Sequence, residues 1–343
     1  MQDVAVVGLD LAKRFFHVVG MDGRGKVVLR RRCTRSQLFG LFEKLPKVRV
    51  GMEACGSAHF FGRRLSELGH DARLIPAQFV KPFLKSQKND DLDAEAIAEA
   101  VQRPTMRFVP IKTPEQLELQ AIHRVRDRLV ARRTSVSNQI RGLLAEHGIS
   151  IRKGRGGFKE FVPTLLASQD PRLSVRMRRL IATLWAEWCS TDEAVDRLTT
   201  ELERIAAHDE ACQRLITVPG VGPLVATAMV AAVSDGTAFD RGRHFAAWLG
   251  LVPKQQTTGG RTKLGGITKR GNTYLRRLFI HGARSFRING RRQDHKLGVW
   301  LSALETRVHK NVATVALANK LARIAWSVLT RGTPYKTAEI VTL

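Results

Sequence analysis

Val4-Ala5-Val6-Val7-Gly8-Leu9-Asp10 is a short apolar run that stops on a carboxylate. Two further extended runs, 15–20 and 26–32, are separated by the turn residues Asp22-Gly23-Arg24-Gly25, so a three-stranded meander is expected. Helical spacing of apolar residues follows over 36–45, then a short strand at 48–52 ending at Glu53, a helix at 59–68 and a strand at 71–75. A helix rich in alanine and acids covers 90–101, and the alternation of strand and helix reads as an α/β layer.

Beyond it the pattern changes. Residues 114–145 read as a long Arg-rich helix whose stripe runs through Leu117, Ile122, Leu129, Val136, Ile140 and Leu143, a coiled-coil arm or an intramolecular packing face. Gly154-Arg155-Gly156-Gly157 interrupts it, and helices are expected at 158–166, 173–188 and 192–208. The last third opens on Pro219-Gly220-Val221-Gly222-Pro223 between two apolar segments, the pattern of a helix-hairpin-helix. In such a turn glycines let the backbone approach closely, and the free amides of the next helix hold a phosphate. The same turn can simply join two helices. Three regions result: 1–110, 111–210 and 211–343, the last mainly α.

Charge narrows the function. With 57 Lys and Arg against 31 Asp and Glu, the 343-residue chain carries +26, which disfavours an ordinary small-molecule enzyme and favours a polyanionic partner. Between Asp240 and Asp294 no carboxylate occurs, while Arg261, Lys263, Lys269, Arg270, Arg276, Arg277, Arg291 and Arg292 stand among thirteen cations. Solvated surfaces mix both signs, so a one-sign block argues for phosphate contacts. Cys33, Cys55, Cys189 and Cys212 are scattered without a C-x-x-C pair, which indicates neither zinc nor disulfides. The start lacks a cationic leader and no apolar run approaches the ~20 residues that span a bilayer, so a cytoplasmic protein is expected.

Asp10 ends the first strand, Glu53 ends the fourth, and Asp90 and Asp93 begin a helix on one side of it. Acids placed so around a mixed sheet match the RNase H-like arrangement, in which clustered carboxylates hold two Mg²⁺ ions across a phosphodiester. A strand-end Asp is equally a turn former, and Asp90 or Asp93 can cap a helix. Asp91 and Glu95 lie beside them, and spacing does not choose among the four.

Gly8-Leu9-Asp10-Leu11-Ala12-Lys13, Gly51-Met52-Glu53-Ala54-Cys55-Gly56-Ser57 and Lys88-Asn89-Asp90-Asp91-Leu92-Asp93 resemble the DEDD transposases of insertion sequences, the IS one-ten family or bridge recombinases. Pro219-Gly220-Val221-Gly222-Pro223, Phe245-Ala246-Ala247-Trp248-Leu249-Gly250-Leu251-Val252-Pro253 and Gly265-Gly266-Ile267-Thr268-Lys269-Arg270-Gly271-Asn272 are similar to that family's second domain, in the same order. The resemblance implies a RuvC-like domain whose Mg²⁺-binding acids are Asp10, Glu53, Asp90 and Asp93, a coiled-coil middle and a C-terminal transposase domain. It implies donor and target DNA, a structured non-coding RNA as guide, and a homodimer assembling to a homotetramer. It also implies a hydroxyl nucleophile that forms a covalent link to DNA.

Where the family carries a serine before a glycine pair, this chain reads Gln255-Gln256-Thr257-Thr258-Gly259-Gly260, with no serine between Gly236 and Arg284. Threonine offers the same oxygen on a more hindered carbon. Thr258 is the first candidate and Thr257 the second. The rival functions are a metal-dependent junction nuclease that needs only the carboxylates, and a non-catalytic nucleic-acid-binding protein. Expected phosphate contacts are Gly220, Gly222, Arg261, Lys263, Lys269, Arg270, Arg276 and Arg277.

Overall fold

Two-residue alternation sorts the first strand, β1 (Val6–Asp10), between two faces of a sheet. Val7 and Leu9 enter one hydrophobic cluster and Val6 another, so Gly8 and Asp10 share the face of Val6. The computed structural model describes residues 3–84, 89–289 and 295–336; Lys88, Arg291 and Arg292 lie outside the described residues. The chain divides into two units, Met1–Glu115 and Gln116–Leu343.

In the first unit, β2 (Phe15–Met21) and β3 (Val27–Thr34) form the expected meander with β1. Strands β4 (Arg49–Glu53) and β5 (Asp71–Ile75) add in parallel, giving the order β3-β2-β1-β4-β5. Helices α1 (Arg35–Lys44) and α2 (Ala58–Glu67) cover the face of Val7, Leu9, Val50 and Met52 with Leu38, Phe42, Phe61 and Leu65. After the short α3 (Ala77–Val80), α4 (Asp90–Ala100) covers the opposite face.

Helix α4 lies unusually close to the sheet. A Cβ on Gly8 would stand 2.0 Å from the Ala94 carbonyl oxygen, and one on Gly51 2.8 Å from Val101 Cβ. Alanines 94, 96, 98 and 100 of α4 are buried, small enough to accept that approach. Arg30 of β3 pairs with Glu95 at 2.5 Å and pins the helix from the side.

The second unit begins within α5 (Pro114–Ala145) and continues with α6 (Arg155–Ala167) and α7 (Val175–His208). As α5 advances from Arg126 to Arg133, its partners on α7 retreat from Thr199 to Asp192, so the two helices run antiparallel. Val136 and Ile140 of the α5 stripe pack inside the chain against Phe158, Ile181 and Trp188, and at the end of the helix the buried residue is Leu144 rather than the expected Leu143. The break expected between two helices at residues 188 and 192 does not occur. Thr191 donates its hydroxyl to the Glu187 carbonyl, and Asp192 is buried against Arg133 and Arg155, so residues that resemble a cap sit mid-helix.

The remaining elements are α8 (Glu210–Ile216), α9 (Pro223–Val233), α10 (Gly242–Trp248), strands β6 (Pro253–Thr258) and β7 (Arg261–Ile267), α11 (Thr273–Ile288), α12 (Lys296–Glu305) and α13 (Lys310–Arg331). Contrary to the sequence reading, one helix among the described residues, α13, is long and apolar enough by length and composition to cross a membrane. Its Ala313, Leu317, Leu321, Ala325 and Leu329 form the middle of the hydrophobic cluster shared with α8, α9 and α11, which accounts for its composition. His123 of α5 joins the same unit from a 2% exposed position: its Nδ1 lies 2.9 Å from the Tyr274 hydroxyl and its Nε2 3.0 Å from Thr227 Oγ1.

Gly8→Ala tests the α4 packing. The added methyl collides with backbone rather than with a movable side chain, so a loss of about 3 kcal/mol in urea unfolding is expected. An unchanged midpoint would refute the close approach.

Candidate functional site

Parallel pairing of Leu9 with Met52 puts Asp10 and Glu53 next to each other at the carboxyl ends of β1 and β4. Both lie on the face that α4 covers, and the first turn of α4 supplies Asp90, Asp91 and Asp93. Burial, then the charges of Asp93, Asp90 and Glu53, push the Asp10 carboxyl from 3.8 up to about 6, while His17 pulls it down. The four acids singled out in the sequence therefore share one electrostatic field. Asn89 Oδ1 accepts from the Asp91 amide at 3.0 Å and caps the helix.

His17 was not foreseen as a member of this group. It stands directly opposite Asp10 in the antiparallel β1–β2 register, its Nδ1 2.6 Å from Asp91 Oδ1 and its Nε2 3.7 Å from Asp90 Oδ2. Alternation along β2, with Phe16 and Val18 in the opposite core, carried the signal. Among the described residues no three His, Cys, Asp or Glu side chains converge closely enough to hold a metal ion. The donor set is nonetheless all carboxylate oxygen, with repulsion at Asp10 that His17 offsets only in part, the chemistry that a hard divalent cation fits.

In the second unit, the segment after Pro253 is a hairpin. Gly259 and Gly260 take φ of +56° and +75°, the left-handed pair that a two-residue type I′ turn requires. Every residue of β6 is exposed, and β7 is exposed up to Ile267. Thr258 pairs with Arg261 across the turn, and Thr257 Oγ1 lies 3.1 Å from Thr262 Oγ1. Lys254, Arg261 and Lys263 make this ribbon cationic throughout.

The base of the hairpin is a backbone knot. Thr268 N–H donates to the Val252 carbonyl at 2.8 Å and Lys269 N–H to that of Gly250 at 3.1 Å. A Cβ on Gly271 would lie 1.7 Å from the Trp248 carbonyl oxygen, so no side chain is tolerated there. Arg276, expected to meet phosphate, instead turns inward at 8% exposure and donates to the carbonyls of Leu249 at 2.9 Å and Arg270 at 2.8 Å and to Thr273 Oγ1 at 3.1 Å. Arg277 pairs with Asp127. Gly220, at φ +77°, lets its turn meet Gly282 of α11, where a Cβ would stand 2.7 Å from the carbonyl oxygen; at Gly222 nothing crowds that position.

A DEDD transposase model of the IS110 type matches residues 7–149, and the model described as "Transposase IS116/IS110/IS902 family" matches residues 212–296. A probable family 20 transposase of Pseudomonas aeruginosa is 47% identical over 96% of this chain and 98% of its own length. The chain belongs to the IS110 family of transposases. The transposase for insertion sequence element IS1111A of Coxiella burnetii is 44% identical over 98% of this chain and 92% of its own, and that for IS1328 of Yersinia enterocolitica is 41% identical over 98% and 99%. Membership makes the protein an enzyme that acts on DNA; the DEDD model covers the mixed sheet with its acids and α5, and the second model covers residues 212–296 of the mainly helical second unit.

Two outcomes follow for a transposase built this way. Between 3.8 and about 6 the native state binds more protons at Asp10 than the unfolded chain does, so stability falls as pH rises through that window and stays lowered above it. In metal-free buffer at pH 7, Asp10→Asn is expected to gain about 1 kcal/mol in urea unfolding, after discounting for solvent screening, and the gain should vanish near pH 4. Arg276→Lys keeps the charge but cannot reach three acceptors with a planar fork; a loss of about 2 kcal/mol is expected, and equal stability would show that the charge alone suffices.

Proposed function

We propose that this transposase cuts and rejoins insertion-sequence DNA through a covalent protein–DNA link on Thr258, with Thr257 as the runner-up, assisted by Asp10, Glu53, Asp90 and Asp93. The observation that carries the reading is the placement of Asp10 and Glu53 at adjacent strand ends on the face that α4 covers, with Asp90 and Asp93 in the first turn of that helix. Those four residues would hold a divalent cation, Mg²⁺ for its preference for oxygen ligands, which when bound neutralises charge building on phosphodiester oxygens.

Thr258 Oγ1 forms a bond to the scissile phosphorus while the bond from phosphorus to the leaving deoxyribose oxygen breaks. The hydroxyl loses its proton and the departing oxygen gains one, so no oxidant or reductant is required. Attack by a deoxyribose hydroxyl of the joining strand reverses the step and restores the threonine. Support for Thr258 comes from its exposed place beside the Gly259-Gly260 turn and next to Arg261. Arg261, Lys263, Lys269 and Arg270 would contact phosphates flanking the break, and the Gly222 end of α9 offers backbone amides to another. Guidance by a structured RNA, assembly of homodimers into a homotetramer and a cytoplasmic, nucleoid-bound location rest on the family resemblance, and the +26 charge accords with a nucleic-acid guide.

A denaturing gel of labelled donor DNA incubated with the protein, Mg²⁺ and the RNA transcribed beside its gene tests the scheme. Wild type should leave a slow-migrating adduct that Thr258→Ala and Asp10→Ala each reduce at least about 100-fold. Cleavage without adduct would establish the metal-nuclease reading instead, and loss only in Thr257→Ala would move the nucleophile by one residue.

A further inference from the structure

Three arginines that the catalytic reading leaves unused converge where α5, α6 and α7 meet. A cavity of about 280 Å³ there is lined by Arg133, Thr134, Ser137, Arg141, Arg155 and Trp188, with Gly154 at its edge. Gly154 is the residue before α6, at φ +108°, and no side chain caps that helix end. The N-terminal amides of a 13-residue helix thus begin at the cavity wall.

The arginines are held unequally. Arg133 donates to Asp192 at 2.7 Å; Arg155 donates to Asp192 through Nε and one terminal nitrogen, both at 2.8 Å, and also pairs with Asp196. Those contacts fix the two guanidinium planes, and with Lys159, 3.9 Å from Asp192, they leave cations in excess of the two carboxylates. Arg141 has no acidic partner among the described residues. Its guanidinium carbon sits 4.8 Å from the centre of the Phe158 ring, one terminal nitrogen reaches the Gly154 carbonyl at 3.3 Å, and its Nε is buried without a hydrogen-bond partner. A buried N–H left unmade costs about 1–3 kcal/mol, so the site is arranged for an acceptor from outside the chain.

We propose that this cavity of the helical arm binds a backbone phosphate of a nucleic-acid strand, through Arg141, Arg155 and Arg133 and the start of α6. Its size suits one phosphodiester group, planar guanidinium forks match phosphate oxygens, and the aromatic wall of Trp188 is too deeply buried to stack a base. The inference deepens the nucleic-acid reading by adding a phosphate contact far along the chain from the Thr258 hairpin.

The test measures the salt dependence of binding by the full chain to a labelled DNA duplex and, separately, to the labelled RNA transcribed beside the gene. Variants are Arg141→Gln, which keeps the stem over Phe158, and Thr134→Glu, a helix-compatible change at an exposed position. Arg176→Gln, exposed twelve residues before Trp188 on α7 and so about 18 Å along the helix, is the control. Expected are an affinity about three- to tenfold lower for both cavity variants and a salt slope reduced by about one unit, with the control unchanged. A loss with only one of the two probes identifies which strand occupies the cavity. If wild type binds both and the cavity variants match the control, the inference is overturned while the nucleic-acid reading stands. If wild type binds neither, both fall.

Discussion

Everything in the first unit depends on how closely α4 can approach the sheet. Gly8 and Gly51 remove side chains from adjacent strands at the points where the helix backbone crosses them, and a run of alanines on the helix completes the fit. A helix packed at ordinary distance would carry its first-turn acids away from Asp10. The close contact therefore sets the electrostatics: Asp93 and Asp90 act on Asp10 because two glycines let them near it. Crowding like charges costs stability, a trade between fold and function common at catalytic centres.

The charge of the second unit divides by task. Arg276 ties together two loops, each with a glycine set against the backbone of the other, Arg133 and Arg155 hold Asp192 inside a long helix, and Arg277 pairs with Asp127. These cations organise the frame. Lys254, Arg261 and Lys263 on the hairpin remain directed at solvent, where a polyanion can meet them. A one-sign stretch of sequence thus holds two populations, separable only by what each guanidinium or ammonium touches.

Much of the first unit is legible in the sequence because period-two alternation is a local property. Val6, Gly8 and Asp10 on one face and Val7 and Leu9 on the other follow from order alone, and Glu53 joins them by parallel pairing. His17 and Arg276 were harder because their roles depend on contacts across register or between loops. The continuous α7 escaped because Thr191 and Asp192 have the chemistry of a helix cap, and only tertiary partners show that they are interior. The hairpin had its signal in Gly259-Gly260, but β6 and β7 lack the apolar alternation by which half-buried strands are found.

A two-stranded ribbon with both faces wet has no interior to protect, and its geometry is fixed by the knot beneath it and the turn above. Side chains along it can be exchanged with little penalty to folding, whereas Gly250, Gly271 and Arg276 at its root cannot. The architecture separates a frame that cannot vary from an edge whose exposed side chains can change without first passing through unstable folds.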